Sequence, residues 1–354
     1  MPVFPKSVSR PTSRRQFLAL TAVAAAAAAC GRATASDGGG AETKKLRYQG
    51  WVGQVTLPEL AEDLGYFGDV KLEWVGNTIS GPQDIQSAAT GQTDFGGAFN
   101  GAVVKLISAG APVKAAISYY GVDAASYNGY YVLEDSPIRS ARDLVGKKVG
   151  MNTLGAHVEA ILDTYLQRNG FAAAELGKVE RIVVPPVNTE QSLRQRQIEV
   201  ASLGGVLRDK ALAAGGIRPL FSDFDLLGAF SAGTYVLTNR FLKQNPGTAQ
   251  VFVTGVAKAI EWSRATPREQ VIARSAEIIR RRGRNEDTAA LQYWKSFGVA
   301  EPGGRITDGT FQLWIDWLTA HGDIKAGQVK AADLYTNQFN GYQAGAASPA
   351  ASRS

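Results

Sequence analysis

Two apolar periods alternate along this chain. Val70, Leu72 and Trp74 alternate with Lys71 and Glu73, the mark of a half-buried strand, whereas Val55, Leu57, Leu60, Ala61 and Leu64 fall near a 3.6-residue spacing and predict a helix over 55–64. Before them, residues 45–49 read as a short strand. After them, Ser80-Gly81-Pro82 opens a helix that runs to Ala89, followed by a strand over 94–99, a helix over 100–109 and a strand over 113–120. This rhythm predicts α/β architecture with largely parallel sheets and helices on their faces. A second unit starts near Tyr130, with strands over 130–133, 148–151, 181–184 and 200–203 and helices over 156–169 and 191–197. After Gly233, Tyr235-Val236-Leu237 leads back into helices over 248–266, 267–282 and 288–296. Phe311, Trp314, Ile315 and Leu318 form one helical stripe, read as core. The expected organisation is one lobe begun by 45–129, a second lobe at 130–232, a return to the first at 233–345 and a disordered tail at 346–354. Two chain crossings make a hinge, and the cleft between hinged lobes is a natural ligand trap.

The N-terminus follows another pattern. Arg14-Arg15-Gln16-Phe17-Leu18 reads as a twin-arginine export motif, and the apolar run that follows is too short for a permanent membrane span. It ends in Ala-Ala-Ala-Cys30-Gly, which predicts a lipoprotein-type signal over 1–29 and a lipid anchor on Cys30, although Ala27 stands where such signals more often carry leucine. The small, glycine-rich residues of 30–44 then read as a flexible tether. Export changes the charge account. The leader holds four of the 38 basic residues and no acid, leaving 34 basic against 32 acidic residues. A net charge near +2 removes the case for a nucleic-acid partner. Arg280, Arg281, Arg282 and Arg284 form a basic run that reads as a solvated helix end, because Glu286 and Asp287 follow at once. With one cysteine and two histidines, neither an internal disulfide nor a metal site is expected, and no cofactor.

Glu62-Asp63-Leu64-Gly65-Tyr66-Phe67, Gly91-Gln92-Thr93-Asp94-Phe95-Gly96, Ala109-Gly110-Ala111-Pro112-Val113-Lys114, Asp143-Leu144-Val145-Gly146-Lys147-Lys148-Val149 and Leu334-Tyr335-Thr336-Asn337-Gln338-Phe339 occur in fixed order. In this order they resemble the solute-binding proteins of ABC importers for nitrate, taurine and aliphatic sulfonates, over about residues 45–340. The resemblance implies a type II periplasmic binding protein fold, two α/β lobes with a ligand closed between them. It also implies a monomer, anchored at the membrane and facing the periplasm or cell exterior, that hands a small anionic ligand to the transmembrane subunits of a permease. It names no single ligand, and Gln197-Ile198-Glu199-Val200-Ala201 departs from the family's Gly-x-x-Asp-Ala segment.

Ligands of such sheets sit beyond the C-terminal strand ends, where loops enter helix N-termini and unpaired N–H groups favour anions. Three loops fit: Gln49-Gly50-Trp51, the stretch containing Ser80 and Gly81, and the stretch containing Thr153, Gly155 and His157. Gly204, in Leu203-Gly204-Gly205, is placed with them. Ser80 and Asn100 read equally as helix caps, and Gly81 as a simple turn. Trp51 reads as a cleft residue, and Tyr119 and Tyr120 end a strand with one facing the cleft. His157 reads equally as a surface or packing residue. The aromatic residues leave a second ligand class open, a heterocycle such as a pyrimidine or riboflavin-like compound. Thiamin-pyrimidine synthases share the fold but carry a cysteine-rich metal segment that this chain lacks, so no enzyme is expected.

Overall fold

The computed structural model describes residues 41–343; the expected export leader, Cys30 and the expected tail lie outside them. Residues 42–343 form one compact unit. Glu42 and Thr43, expected in the tether, are hydrogen-bonded into the fold. The Glu42 carboxylate accepts from the N–H groups of Gly247 (3.0 Å) and Thr248 (2.6 Å), where a long helix begins.

The first lobe opens with β1 (Lys45–Gly50), α1 (Leu57–Asp63) and β2 (Lys71–Asn77). Thr56 and Glu59 close a capping box around Pro58, which fixes where α1 starts. β1 and β2 pair in parallel. Next come α2 (Gly81–Ala89), β3 (Gly96–Phe99), α3 (Asn100–Ser108) and β4 (Val113–Val122). The chain then crosses to a five-stranded sheet made of β5 (Asn128–Leu133), β6 (Lys148–Met151), β7 (Glu180–Val183), β8 (Val200–Gly204) and β9 (Ile217–Ser222), in the order β7-β6-β8-β5-β9. The helices α4 (His157–Arg168), α5 (Pro186–Arg194), α6 (Gly205–Ala213) and α7 (Asp223–Leu227) belong to this lobe. β10 (Phe230–Thr238) carries the chain back between β3 and β4. Four helices follow: α8 (Asn239–Gln244), α9 (Pro246–Ala265), α10 (Arg268–Arg282) and α11 (Asp308–Ala320).

The sheets are mixed, not largely parallel as the alternation predicts. β10 runs antiparallel to β3 and β4, and β5 runs antiparallel to β8 and β9. These are the strands that enter each lobe from the other, so the crossings themselves reverse the strand direction.

Other departures have local causes. The helix expected over 191–197 spans Pro186–Arg194, because Pro186 is pre-shaped for a first turn and Arg196, at φ 57°, cannot continue it. The helix expected over 288–296 shrinks to a 3₁₀ turn at Ala289–Tyr293, followed by extended chain. β9 escapes the alternation reading because Pro219 lies in it. An edge strand tolerates that loss of a donor.

The basic run is not a solvated helix end throughout. Arg280 and Arg281 are exposed, but the Arg282 and Arg284 side chains are only 8 % and 10 % exposed. Arg282 donates to both Glu59 oxygens (2.9 and 3.0 Å) and to Glu286 (2.6 Å). Arg284 donates to the Tyr48 hydroxyl at 2.9 Å and lies 4.2 Å over the Trp74 ring. The expected core stripe of α11 is buried, with Trp314 edge-on to Phe99 at 4.4 Å.

Candidate functional site

A cavity of about 340 Å³ lies between the lobes, bounded by the C-terminal ends of strands from both. That size suits a compact organic solute. The first lobe and the returning chain supply an aromatic wall: Trp51, Phe99, Tyr119, Tyr120, Tyr235 and, from the extended chain after the 3₁₀ turn, Trp294 and Phe297. Tyr119 stacks on Tyr235 at 4.1 Å and meets Tyr120 edge-on at 4.9 Å. Burial raises the phenol pKa of Tyr119, Tyr120 and Tyr235, so all three stay neutral donors.

The second lobe supplies mainly backbone. The starts of α4 (Ala156, His157), α5 (Pro186, Thr189) and α6 (Gly204, Gly205, Val206) all line the cavity. None of these three helices has a side chain capping its first N–H groups. Uncapped helix starts are partially positive, and those of α4 and α6 hold free N–H donors, whereas α5 begins Pro185-Pro186 and offers the field of its dipole without a proline N–H.

The charges at the cavity are few. Lys295 lines it but pairs with Asp209 at 3.1 Å, and Asp209 is also held by Arg208 at 2.7 Å. His157, 5 % exposed, stacks on Phe99 at 5.3 Å, and its Nε2 lies 3.2 Å from the fully buried Asp223 Oδ2, off the line of a hydrogen bond. Asp223 accepts from the N–H of Asn128 (3.0 Å), from Asn128 Nδ2 (3.3 Å) and from the N–H of Phe224 (2.8 Å).

The returning chain seals one side through a close backbone approach. The N–H of Gly121 donates to the Phe297 carbonyl at 3.0 Å, and a Cβ on Gly121 would collide with the Gly298 carbonyl. On the other side the lobes touch directly. Ser80 Oγ is 3.1 Å from Thr153 Oγ1, and Asn152 Nδ2 donates to the Ile79 carbonyl at 3.0 Å.

Of the residues singled out by sequence, Trp51, Gly81, Tyr119, Tyr120, His157 and Gly204 come together on the cavity wall; both tyrosines face it, where only one was expected to. Gln49, Gly50, Ser80, Asn100, Thr153 and Gly155 do not line it. Ser80 caps Gln83 N and bridges to Thr153. Asn100 is fully buried, donating to the carbonyls of Ser231 (3.0 Å) and Thr310 (3.4 Å). Gly50 packs against the Arg284 guanidinium, and Gly155 N–H donates to Glu159. The sequence reading missed Tyr127, Asn128, Tyr235, Trp294, Lys295 and Phe297. Tyr235 sat in an apolar run that reads as core, and Trp294 and Lys295 in an expected helix.

The family described as NMT1/THI5 like matches residues 56–270, well over half of the chain. The chain belongs to the NMT1/THI5-like family. Its architecture is the two-lobe type II periplasmic binding protein fold. Among solved structures, a protein of Bordetella bronchiseptica RB50 is 20% identical with a TM-score of 0.70, over 84% of this chain and 96% of that one. The alkanesulfonate-binding protein SsuA from Xanthomonas axonopodis pv. citri, solved bound to MOPS, is 18% identical with a TM-score of 0.63, covering 84% and 99%. The periplasmic nitrate-binding protein NrtA from Synechocystis PCC 6803 is 13% identical with a TM-score of 0.65, covering 84% and 87%. No curated relative matches the chain by sequence. Among the described residues of this family member, no helix is long and apolar enough to cross a membrane, and no cluster of His, Cys, Asp and Glu could hold a metal ion.

Proposed function

We propose that the chain is the extracytoplasmic solute-binding component of an ABC importer, capturing a compact anionic organic solute and delivering it to the permease. One observation carries this reading: the uncapped starts of α4 and α6, with free N–H groups, and the dipole of α5 open into a single cavity between hinged lobes. The fold it shares with SsuA and NrtA supports it. The leader supports export through the twin-arginine route and anchoring by lipid on Cys30.

Thermal-shift titration of the mature chain against nitrate, taurine, ethanesulfonate, benzenesulfonate, a neutral pyrimidine and riboflavin tests the ligand. A solute bound only by the folded state raises the melting temperature in a saturable way. Stabilisation by anions supports the reading, and stabilisation by neutral compounds alone ends it. Mass spectrometry of the N-terminal peptide tests the anchor, and Cys30→Ala should move the protein out of the membrane fraction.

The aromatic wall favours a second reading, a planar heterocycle stacked between Trp51 and the tyrosines. Fluorescence quenching by the pyrimidine or riboflavin, absent with ethanesulfonate, would favour it. The same fold also occurs in the desulfurization enzyme DSZB, 16% identical with a TM-score of 0.55. An enzyme would turn over a bound solute, whereas a binding protein returns it unchanged.

A further inference from the structure

The charges around the cavity do not match an anionic ligand at first sight. Lys295 is the one lysine on the wall and no arginine lines it, and Lys295 is spent on Asp209. Arg208, behind the wall, is fully engaged by Asp209, the carbonyls of Tyr127 (3.0 Å) and Ala125 (2.8 Å), and the Tyr127 ring. What remains is His157, whose Nε2 is turned to a carboxylate with no exposure. Its Nδ1 bonds to none of the described residues, although the imidazole is buried and lies on the cavity wall. The groups facing the ring are Asp223 from α7, the Tyr120 phenol from β4 at 6.0 Å, and the uncharged rings of Phe99 and Phe230. Glu159, on its own helix, is committed to Arg181 at 2.9 Å.

We propose that His157, backed by Asp223, supplies the positive charge for the ligand's anionic group, that the ligand is an aromatic carboxylate or sulfonate, and that its binding takes up a proton. This rests on the solute-binding reading above and deepens it. The imidazole takes a proton from solvent as the anion enters. Nε2–H then faces Asp223 at ion-pair distance, and Nδ1–H faces the ligand. The uncapped starts of α4 and α6 add N–H donors from the same lobe, and α5, which begins with two prolines, adds only its dipole. From the first lobe and the returning chain, Trp51, Tyr119, Tyr120 and Trp294 offer flat surfaces that a nitrate or a short alkanesulfonate would leave unfilled. The lining thus asks for one charge and one ring in the same molecule.

The test is calorimetric titration of the mature chain with sodium benzenesulfonate and sodium benzoate at pH 8, in phosphate and in Tris. The binding heats should differ between these buffers by the amount expected for uptake of about one proton per ligand. The chain has two histidines, so NMR separates them. The His157 ring resonance should move toward the imidazolium position on binding. His321, held by Gln167 and the Trp317 carbonyl at 2.7 Å each, should not move. His157→Phe keeps an aromatic ring without charge and should weaken binding about tenfold or more, whereas His321→Gln should leave it unchanged. Binding without proton uptake, with the His157 resonance fixed, overturns the inference and leaves the solute-binding reading intact. Taurine or nitrate binding as tightly as benzenesulfonate overturns the ring requirement. If neither these probes nor the wider panel binds, both readings fall.

Discussion

The two walls of the cavity are built from different materials. The first lobe and the returning chain present ring faces and phenols, whereas the second lobe presents helix starts, Gly204 and Gly205, and one histidine. A ring wall discriminates by shape and contact area, a backbone wall by charge and hydrogen bonding. Two buried acids, one from each lobe, differ in the same sense. Asp223 of the second lobe has three donors and a histidine beside it. Asp84 of the first lobe has a single donor, the N–H of Gly97 at 2.7 Å, and its other oxygen is buried without a partner. On the cavity wall itself the second lobe supplies His157 and Asp209, with Lys295 from the returning chain, whereas the first lobe presents rings and keeps its ionic groups behind them.

The largest effect should come from removing what braces the ring wall from behind. Arg282 donates to the carbonyls of Gln54 (3.0 Å) and Trp51 (3.4 Å), holding the loop that carries Trp51, while it neutralises Glu59 and Glu286. Arg282→Met leaves the buried Glu286 carboxylate without its cation, whereas Glu59 keeps Arg284 at 3.4 Å and the Tyr48 hydroxyl, and stranding one buried acid costs about 3–5 kcal/mol. A urea melt should show that loss, together with weaker binding. A melt within about 0.5 kcal/mol of the parent would mean that the wall needs no ionic brace and would remove half of the contrast.

The contrast between the acids is tested by pH. Burial pushes the Asp84 carboxyl up to about 7 against the lowering effect of the Gly97 N–H. In the unfolded chain the same group ionises near 4. Between those values the folded state holds a proton that the unfolded state has released, so the contribution is full below about pH 4 and is lost as pH rises to about 7. Asp84→Asn keeps an acceptor for Gly97 and cannot ionise. Relative to the parent it should gain stability on going from pH 4 to pH 7, on the order of 4 kcal/mol at most. Parallel stability curves for the two proteins would show that Asp84 is solvated or paired, and the two lobes would then treat their buried acids alike.

The ring wall was only partly legible in the sequence, and the backbone wall rather more so. Trp51 and the helix starts at Gly81, His157 and Gly204 follow from local rules, because a strand end, a loop glycine and a helix start are near neighbours in the chain. Tyr235 and Trp294 obey no such rule. One sits in an apolar strand that reads as core, and the other reaches the cavity because Ser296 Oγ donates to Asp123 Oδ2 at 2.9 Å, a contact no periodicity reveals. The same holds for Asp223, whose partners Asn128 and His157 lie far from it in sequence. Arg282 and Arg284 misled for a related reason. A run of arginines reads as exposed until the fold brings Glu59 and Tyr48 against it.

The smallest effect concerns what joins the walls. Lys295, on the returning chain, reaches Asp209 on α6 and so ties the ring wall to the backbone wall across the cleft. Its side chain is 45% exposed, and a pair so open to water contributes about 1 kcal/mol or less. Asp209 keeps Arg208 when the lysine is removed, so no acid is left bare. Lys295→Met should therefore barely change the melting temperature while raising the ligand's dissociation rate a few-fold in stopped-flow displacement, because opening the cleft then breaks one contact fewer. If the dissociation rate stays the same, closure rests on the other contacts between the lobes, among them Ser80–Thr153, Asn152–Ile79 and Gln167–His321. If the melting temperature instead falls by many degrees, the pair is part of the core, and the two walls form one continuous structure rather than two surfaces that meet over a ligand.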